Sequence, residues 1–325
     1  MTIGVIGAGA WGTALAQVAA SDGQAVRLWA RESEVVESVN ARRENHLFLP
    51  GIPLAPTIEA STDAGWVCES VDAVFIVTPA QHMRAVLDDL PRYAQPLILC
   101  AKGIEADSLM LLHEVAHAVH PDSPIAVLSG PTFAHEVARG LPTAITLACE
   151  DAAVADRLCS YIAQPAFRPY LSTDVVGAEI GGAVKNVLAI ACGVVEGAGL
   201  GQNARAALIA RGFAEMTRFG LARGAKIETL TGLSGLGDLV LTCSSTSSRN
   251  FSLGKGLGEG RPAAELLADR RTVAEGAFTA PVLREAARAA GVDMPVVEAV
   301  CALLSDEAAV SDVIATLLAR PIRSE

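Results

Sequence analysis

Six residues, Gly7-Ala8-Gly9-Ala10-Trp11-Gly12, restrict the fold of this chain more than any other segment. They follow directly on the apolar run Ile3 to Ile6 and open a stretch of helical spacing that leads to Asp22-Gly23. A strand that turns into a helix through three glycines at this spacing is the first step of a parallel β-α-β unit. Each glycine has its own reason. Gly7 permits the tight turn, Gly9 lets backbone approach a pyrophosphate, and Gly12 lets the helix pack closely on the strand. The start of the helix then presents backbone N–H groups to an anion. A glycine-rich turn with no ligand is the competing reading, and it leaves the agreement of strand, glycines and helix as coincidence.

The rest of the first half keeps the same rhythm. Short apolar runs at Val26 to Trp29, Val74 to Val77, Leu97 to Cys100, Ile125 to Leu128 and Ala144 to Ala148 alternate with helix-like segments. That alternation predicts a doubly wound parallel sheet. After Asp174 the chain becomes Ala-rich and helical, punctuated by Gly and Ser clusters. The expected organisation is α/β: a dinucleotide-binding domain of parallel sheet over residues 1–178 and an all-helical domain over residues 179–325.

Composition narrows the function classes. The 325 residues are 51% hydrophobic and 19% charged, enough for a large core. No apolar run approaches the roughly 18 residues of a membrane span. The N-terminus enters a strand pattern at once, with no basic leader, so a cytoplasmic protein is expected. Seven cysteines without a C-x-x-C pair point to reduced thiols. A net charge of -11 gives nucleic acid no general attraction, so any anionic ligand must be held by a few local cations.

Several side chains are candidates for that role. Arg31, at the end of the second run, suits a 2'-phosphate where an acid would mark an NAD site; it leans the reading towards NADP over NAD, although Glu32 adjoins it. Lys102 and the turn Ser129-Gly130-Pro131-Thr132-Phe133-Ala134 follow strand-like runs, at the edge where open parallel sheets bind ligands. A solvated lysine and an ordinary turn remain the plain alternatives. Lys185 and Asn186 interrupt an otherwise apolar, small-residue helix, where burial would lower the lysine pKa towards a value useful for proton transfer; the alternative is a lysine that snorkels to solvent. Further on, Gly235-Leu236-Gly237-Asp238 and Ser247-Ser248-Arg249-Asn250 supply an anion, a forked cation and small donors, a set that suits a phosphate or forms a surface loop. His113-Glu114-Val115-Ala116-His117 fits H-E-x-x-H, yet it falls in a crossover helix with only His120 near in sequence, so a solvated helix face is expected and no metal site.

Taken in order, GAGAWGTALA, AKGIE, SGPTFAHEVARGLPTAIT, GGAVKNVLAIACG, NARAALIARGFAEM, GLGDLVLTC and SSRN resemble the bacterial NAD(P)-dependent glycerol-3-phosphate dehydrogenases over almost the whole chain. The resemblance implies a Rossmann domain followed by a helical domain, and reversible hydride transfer between NAD(P)H and dihydroxyacetone phosphate. The product, sn-glycerol 3-phosphate, feeds glycerophospholipid synthesis. By matching positions it implies Lys185 as the proton-transfer residue, with substrate on Lys102, Gly130, Thr132, Lys185, Asp238, Ser248, Arg249 and Asn250. Cofactor contacts fall on Gly7, Gly9, Ala10, Trp11, Gly12, Arg31, Lys102, Ala134, Arg249, Val273 and Glu275. Two positions depart from the family pattern: Ala10 stands where serine is common, and Ala101 where threonine is common. The first removes one possible phosphate hydrogen bond.

The expected reaction places the ketone phosphate on Arg249, Asn250 and backbone donors, with Lys185 protonating the alkoxide, Lys102 adding positive charge and Asp238 orienting the lysine or the substrate. A related two-domain dehydrogenase of a 3-hydroxy acid or 6-phosphogluconate would share the early glycines and the lysine, without needing Gly-Leu-Gly-Asp and Ser-Arg-Asn. A non-catalytic NADP(H) sensor would share only the glycines, and a zinc peptidase would bind metal and no nucleotide. The resemblance also favours a homodimer; the apolar stripe of Asn203 to Met216 could supply its surface or equally be core.

Overall fold

A computed structural model describes residues 1–92, 94–268 and 274–319, apart from the side chain of Leu318. These form two compact units, Met1–Glu105 with Met110–Glu179, and Ala106–Leu109 with Ile180–Glu325.

The first unit is built on a sheet whose strands are β1 (Thr2–Ile6), β2 (Ala25–Trp29), β3 (Ile58–Ser61), β4 (Ala73–Ile76), β5 (Leu97–Leu99), β6 (Ile125–Ser129), β7 (Thr143–Cys149) and β8 (Phe167–Ser172). Their order is β3-β2-β1-β4-β5-β6-β7-β8. Alternation along each strand divides the apolar residues between two faces. Ile3, Val5, Leu28, Phe75, Ile98 and Leu128 fill one core, while Ile6, Val74, Ile76, Leu97, Leu99 and Val127 fill the other. A sheet covered on both faces needs strands that are apolar at every position, which is why β4 and β5 read as continuous hydrophobic runs. The chain leaves β1 for β2 on one side, and β4 takes up the other side. This reversal puts Gly7 at the switch point where open α/β sheets bind ligands.

Three features differ from the sequence expectation. The run around Ala144 lies in β7, which is antiparallel to β6, and β8 runs parallel to β7. The connection from Ser129 to Thr143 carries only the short helix Ala134–Ala138, shorter than the helices that usually return a chain to a parallel neighbour. β3 and β8 were not expected. β3 is four residues with Glu59 on its exposed face, and β8 contains Pro169, which only an edge strand tolerates.

Every regular element among the described residues of the second unit is a helix. The helix Val175–Gly197 starts among first-unit residues and supplies the second unit with Lys185 and Asn186. It is the one described helix long and apolar enough to cross a bilayer, and 94% of its most apolar window is buried inside the protein. Its glycines explain how tightly it is held. A Cβ on Gly193 would lie 2.1 Å from the Phe251 carbonyl oxygen, and one on Gly254 would lie 1.9 Å from that of Ile190. One turn on, Gly197 and Gly258 meet Lys255 and Val194 in the same manner, at 2.1 and 2.3 Å. The helices Val175–Gly197 and Arg249–Gly258 therefore pack backbone against backbone through two glycine pairs, each spaced by four. Elsewhere Glu215 accepts the Val296 N–H at 2.9 Å and so caps the helix Pro295–Leu304. Burial pushes the Glu215 carboxyl up to about 7, against the lowering effect of the Val296 and Val297 N–H groups.

Candidate active site

The candidate residues fall into two sets, one on each unit. In the first, Gly7 has φ +117°, and a Cβ there would meet the Val77 carbonyl oxygen at 2.8 Å. A Cβ on Gly12 would come within 1.8 Å of the Gly7 oxygen. Both are therefore glycine for reasons internal to the fold. Gly9 is different, because a Cβ there would have nothing within 4 Å. Its bare backbone faces open space, as close approach by a pyrophosphate requires. The helix Ala10–Ala19 begins at this point with no side-chain cap and no acidic residue in its first turn, which contains Ala10 and Trp11. The loop residues present fit a dinucleotide phosphate.

Arg31 is exposed, and its Nη2 and Nε donate to Glu32 Oε1 at 2.8 and 3.1 Å. At the carboxyl ends of β5 and β6, Lys102 Nζ donates to the Gly130 carbonyl at 3.4 Å, and Thr132 Oγ1 donates to the same oxygen at 3.3 Å. The fold thus gathers Lys102, Gly130 and Thr132 around one carbonyl. Ala134 opens the helix Ala134–Ala138 just beyond them.

The H-E-x-x-H segment lies in the helix Leu112–Val119, where its members have unrelated partners. Glu179 accepts the His113 backbone N–H at 2.8 Å and the ring Nδ1 at 2.6 Å, while His120 Nε2 lies 2.9 Å from the Leu87 carbonyl. His117 is exposed. The expected solvated face is thus corrected at His113, which is held by a buried carboxylate. Burial pushes the Glu179 carboxyl up, and although burial works against the His113 cation, the hydrogen bond and charge of Glu179 raise the imidazole overall. Each group therefore holds its proton to higher pH than its ordinary value, with His113 offsetting part of the effect of burial on Glu179. Among the described residues, no group of three His, Cys, Asp or Glu side chains is placed to hold a metal ion.

The second set centres on Lys185, which is 6% exposed. Its Nζ donates to Asp238 Oδ1 at 2.6 Å and to Thr242 Oγ1 at 2.9 Å. Asp238 is fully buried. A lone buried cation would be costly, and this ion pair with its added hydroxyl offsets that cost. Asp238 and Thr242 lie one turn apart on the helix Asp238–Cys243, so both reach the same ammonium. Gly181 seats this region, since a Cβ there would lie 2.3 Å from the Ser234 carbonyl. Cys243 touches Cys192, and that contact together with burial pushes its thiol up.

Beside Lys185, Asn186 Oδ1 accepts from Asn250 Nδ2 at 3.0 Å, and Asn250 Oδ1 accepts the Gly276 N–H at 2.9 Å. Gly276 follows Glu275, the first residue of the helix Glu275–Ala289. Ser248 caps the helix Arg249–Gly258 by accepting the Phe251 N–H at 3.3 Å, leaving Arg249 exposed in the first turn. Asn250, with Ser248 and Arg249 just before it in the chain, is thus tied to Asn186, the neighbour of Lys185, and to the start of the helix that Glu275 opens. Val273 lies outside the described residues. The sequence reading did not single out Thr242, whose four-residue spacing from Asp238 was the available signal. Nor did it single out Asn45, a loop residue whose side chain is wholly buried.

Two family models cover most of the chain: the N-terminus of NAD-dependent glycerol-3-phosphate dehydrogenase matches residues 2–155, and its C-terminus matches residues 174–315. The chain belongs to this family. A glycerol-3-phosphate dehydrogenase [NAD(P)+] of Erythrobacter litoralis is 65% identical, covering 99% of this chain and 97% of that one. One from Sphingopyxis alaskensis is 61% identical over the same shares. The solved glycerol-3-phosphate dehydrogenase (gpsA) of Coxiella burnetii matches with a TM-score of 0.94 at 39% identity, covering 98% of this chain and 99% of that one. This glycerol-3-phosphate dehydrogenase family member is therefore an NAD(P)-dependent oxidoreductase with a Rossmann sheet and a helical second part. D-mandelate dehydrogenase shares the fold alone, with a TM-score of 0.64 at 14% identity.

Proposed function

We propose that the chain reduces dihydroxyacetone phosphate to sn-glycerol 3-phosphate reversibly, and that Lys185 moves the proton. The observation that carries the proposal is the buried Lys185 ammonium fixed by Asp238 and Thr242 beside a cluster of phosphate-binding types. Gly7, Gly9, Ala10, Trp11 and Gly12 hold the pyrophosphate of the cofactor, with Arg31, Lys102, Ala134, Arg249 and Glu275 contributing further contacts. NAD(P)H, when bound, supplies the hydride that reaches C2 of the ketone.

The substrate phosphate is held by the Arg249 guanidinium, the Asn250 amide, the Ser248 hydroxyl and the first-turn N–H groups of the helix Arg249–Gly258. As C2 becomes tetrahedral, Lys185 Nζ gives a proton to its oxygen, and in the reverse direction the same nitrogen takes the proton from the hydroxyl. Asp238 fixes the direction of Nζ. Lys102, with Gly130 and Thr132, adds positive charge and donors for the developing alkoxide.

We also infer a cytoplasmic homodimer. Seven free cysteines, six of them buried, suit a reducing compartment, and Ala206, Ala207 and Ala210 leave an apolar stripe exposed on the helix Gly201–Ala222. Sedimentation equilibrium tests the dimer. Loss of NADPH absorbance with dihydroxyacetone phosphate, and none with unphosphorylated dihydroxyacetone, tests the reaction. Equal rates on the two ketones would overturn the phosphate assignment.

A further inference from the structure

The side chain of Asn45 is wholly buried, and every polar group on it is directed. Its Nδ2 donates to the Ala8 carbonyl at 2.8 Å and to Thr13 Oγ1 at 2.8 Å. Its Oδ1 accepts the Phe48 N–H at 3.1 Å, and its own carbonyl accepts the Leu49 N–H at 2.9 Å. Because the Phe48 N–H must face an acceptor, the amide has one orientation, with both donors towards the loop. Thr13 Oγ1 in turn donates to the Ala8 carbonyl at 3.3 Å.

Ala8 lies between the first two glycines of the loop, and all peptide bonds of the described chain are trans. In a trans peptide the carbonyl and the following N–H point in opposite directions. Asn45 and Thr13 hold the Ala8 carbonyl inward, so the Gly9 N–H is turned outward at the residue whose Cβ direction is open. We infer that Asn45 is a positioning residue that presets the Ala8–Gly9 peptide for the cofactor pyrophosphate. It contacts neither substrate nor reacting atoms. The inference rests on the reading of the glycine loop as the cofactor cradle.

An isosteric change tests it most sharply. Asn45→Asp keeps the shape but sets a carboxylate oxygen against the Ala8 carbonyl, while Asn45→Ala removes the support and Thr13→Val removes the second donor together with the acceptor of one Asn45 Nδ2 hydrogen. Binding is read directly by quenching of tryptophan fluorescence on titration with NADPH, and turnover is read separately with dihydroxyacetone phosphate. Asn45→Asp is expected to raise the NADPH dissociation constant by about tenfold or more, Asn45→Ala by somewhat less, and Thr13→Val by about threefold. At saturating NADPH, kcat and the KM for dihydroxyacetone phosphate should stay within about twofold of the parent chain, a split that general loss of structure would not give. NADPH affinity unchanged in the folded Asn45 variants and in Thr13→Val would overturn the inference. If the Asn45 variants do not fold, Thr13→Val decides alone, because it reports on the same peptide. Absence of NADPH and NADH binding by the parent chain would instead sink the cradle reading itself.

Discussion

The glycine loop of the first unit uses six consecutive residues, whereas the lysine site of the second joins positions 53, 57 and 64 residues apart. The difference shows in their glycines. Around the loop, nothing lies within 4 Å of the Gly9 Cβ direction, as the proposed approach of a pyrophosphate requires. In the second unit, Gly181, Gly193 and Gly254 are bare because another stretch of backbone already lies there. If the first kind of glycine serves a ligand, as proposed, and the second serves the fold, the two kinds should fail differently.

The largest expected effect lies in the second unit. Lys185→Ala should lower kcat by at least about a hundredfold while leaving NADPH affinity near that of the parent chain. Single-turnover kinetics beside a binding titration checks both. Parent-like turnover would remove the lysine from the chemistry and leave the contrast resting on packing alone. Next, Gly254→Ala should cost about 2 kcal/mol of unfolding free energy in denaturant titrations, since its Cβ would strike the Ile190 carbonyl. Gly9→Ala should leave that free energy nearly unchanged and raise the KM for NADPH about tenfold, by holding the phosphate away from the backbone. Exchanged phenotypes between these two variants would break the comparison.

A smaller effect is expected at Glu215. Its folded pKa of about 7 lies above the ordinary 4.5, so the folded state holds a proton that the unfolded chain has already released. The contribution of Glu215 to stability is therefore fully present below about pH 4.5 and is lost as the pH rises through about 7, where burial begins to act on a charged group. Glu215→Gln should remove on the order of 1 kcal/mol of the difference between pH 5.5 and pH 8, seen as a flatter Tm profile. The smallest effect is at Arg31. Arg31→Ala should lower kcat/KM for NADPH by about threefold to tenfold and that for NADH by less, because Glu32 already engages the guanidinium. Equal losses with both cofactors would show that Arg31 does not read the 2'-phosphate.

The same contrast explains what was legible in the sequence. A loop made from neighbours in the chain can be read residue by residue, and Gly7, Gly9 and Gly12 carry their reasons in their spacing. Six of the eight strands were visible because burial on both faces demands unbroken apolar runs. β3 and β8 were hidden, because edge strands can carry Glu59 and Pro169. The reversal at β7 left no mark in the sequence pattern, because apolar content does not record strand direction. In the second unit the residue types at 185, 238 and 248–250 suggested a chemistry, and only the resemblance joined them; spacing along the chain did not show their meeting. It depends on glycines four apart in two helices, a spacing that looks like ordinary small-residue composition until both helices are placed. Asn45 was invisible for a further reason: a loop asparagine carries no sign of which distant carbonyl it holds.

The paired glycines on Val175–Gly197 and Arg249–Gly258 also set what kinds of error this site can tolerate. Where two backbones interlock through notches one helical turn apart, small sliding brings each notch against a carbonyl, and the next fit is a whole turn away, about 5.4 Å. Registration of Asn250 on Asn186 is therefore stepwise. Damaged copies of this protein should divide into molecules with full local order and molecules with none, so that a falling specific activity measures a shrinking count of intact sites rather than a gradual blurring of each one.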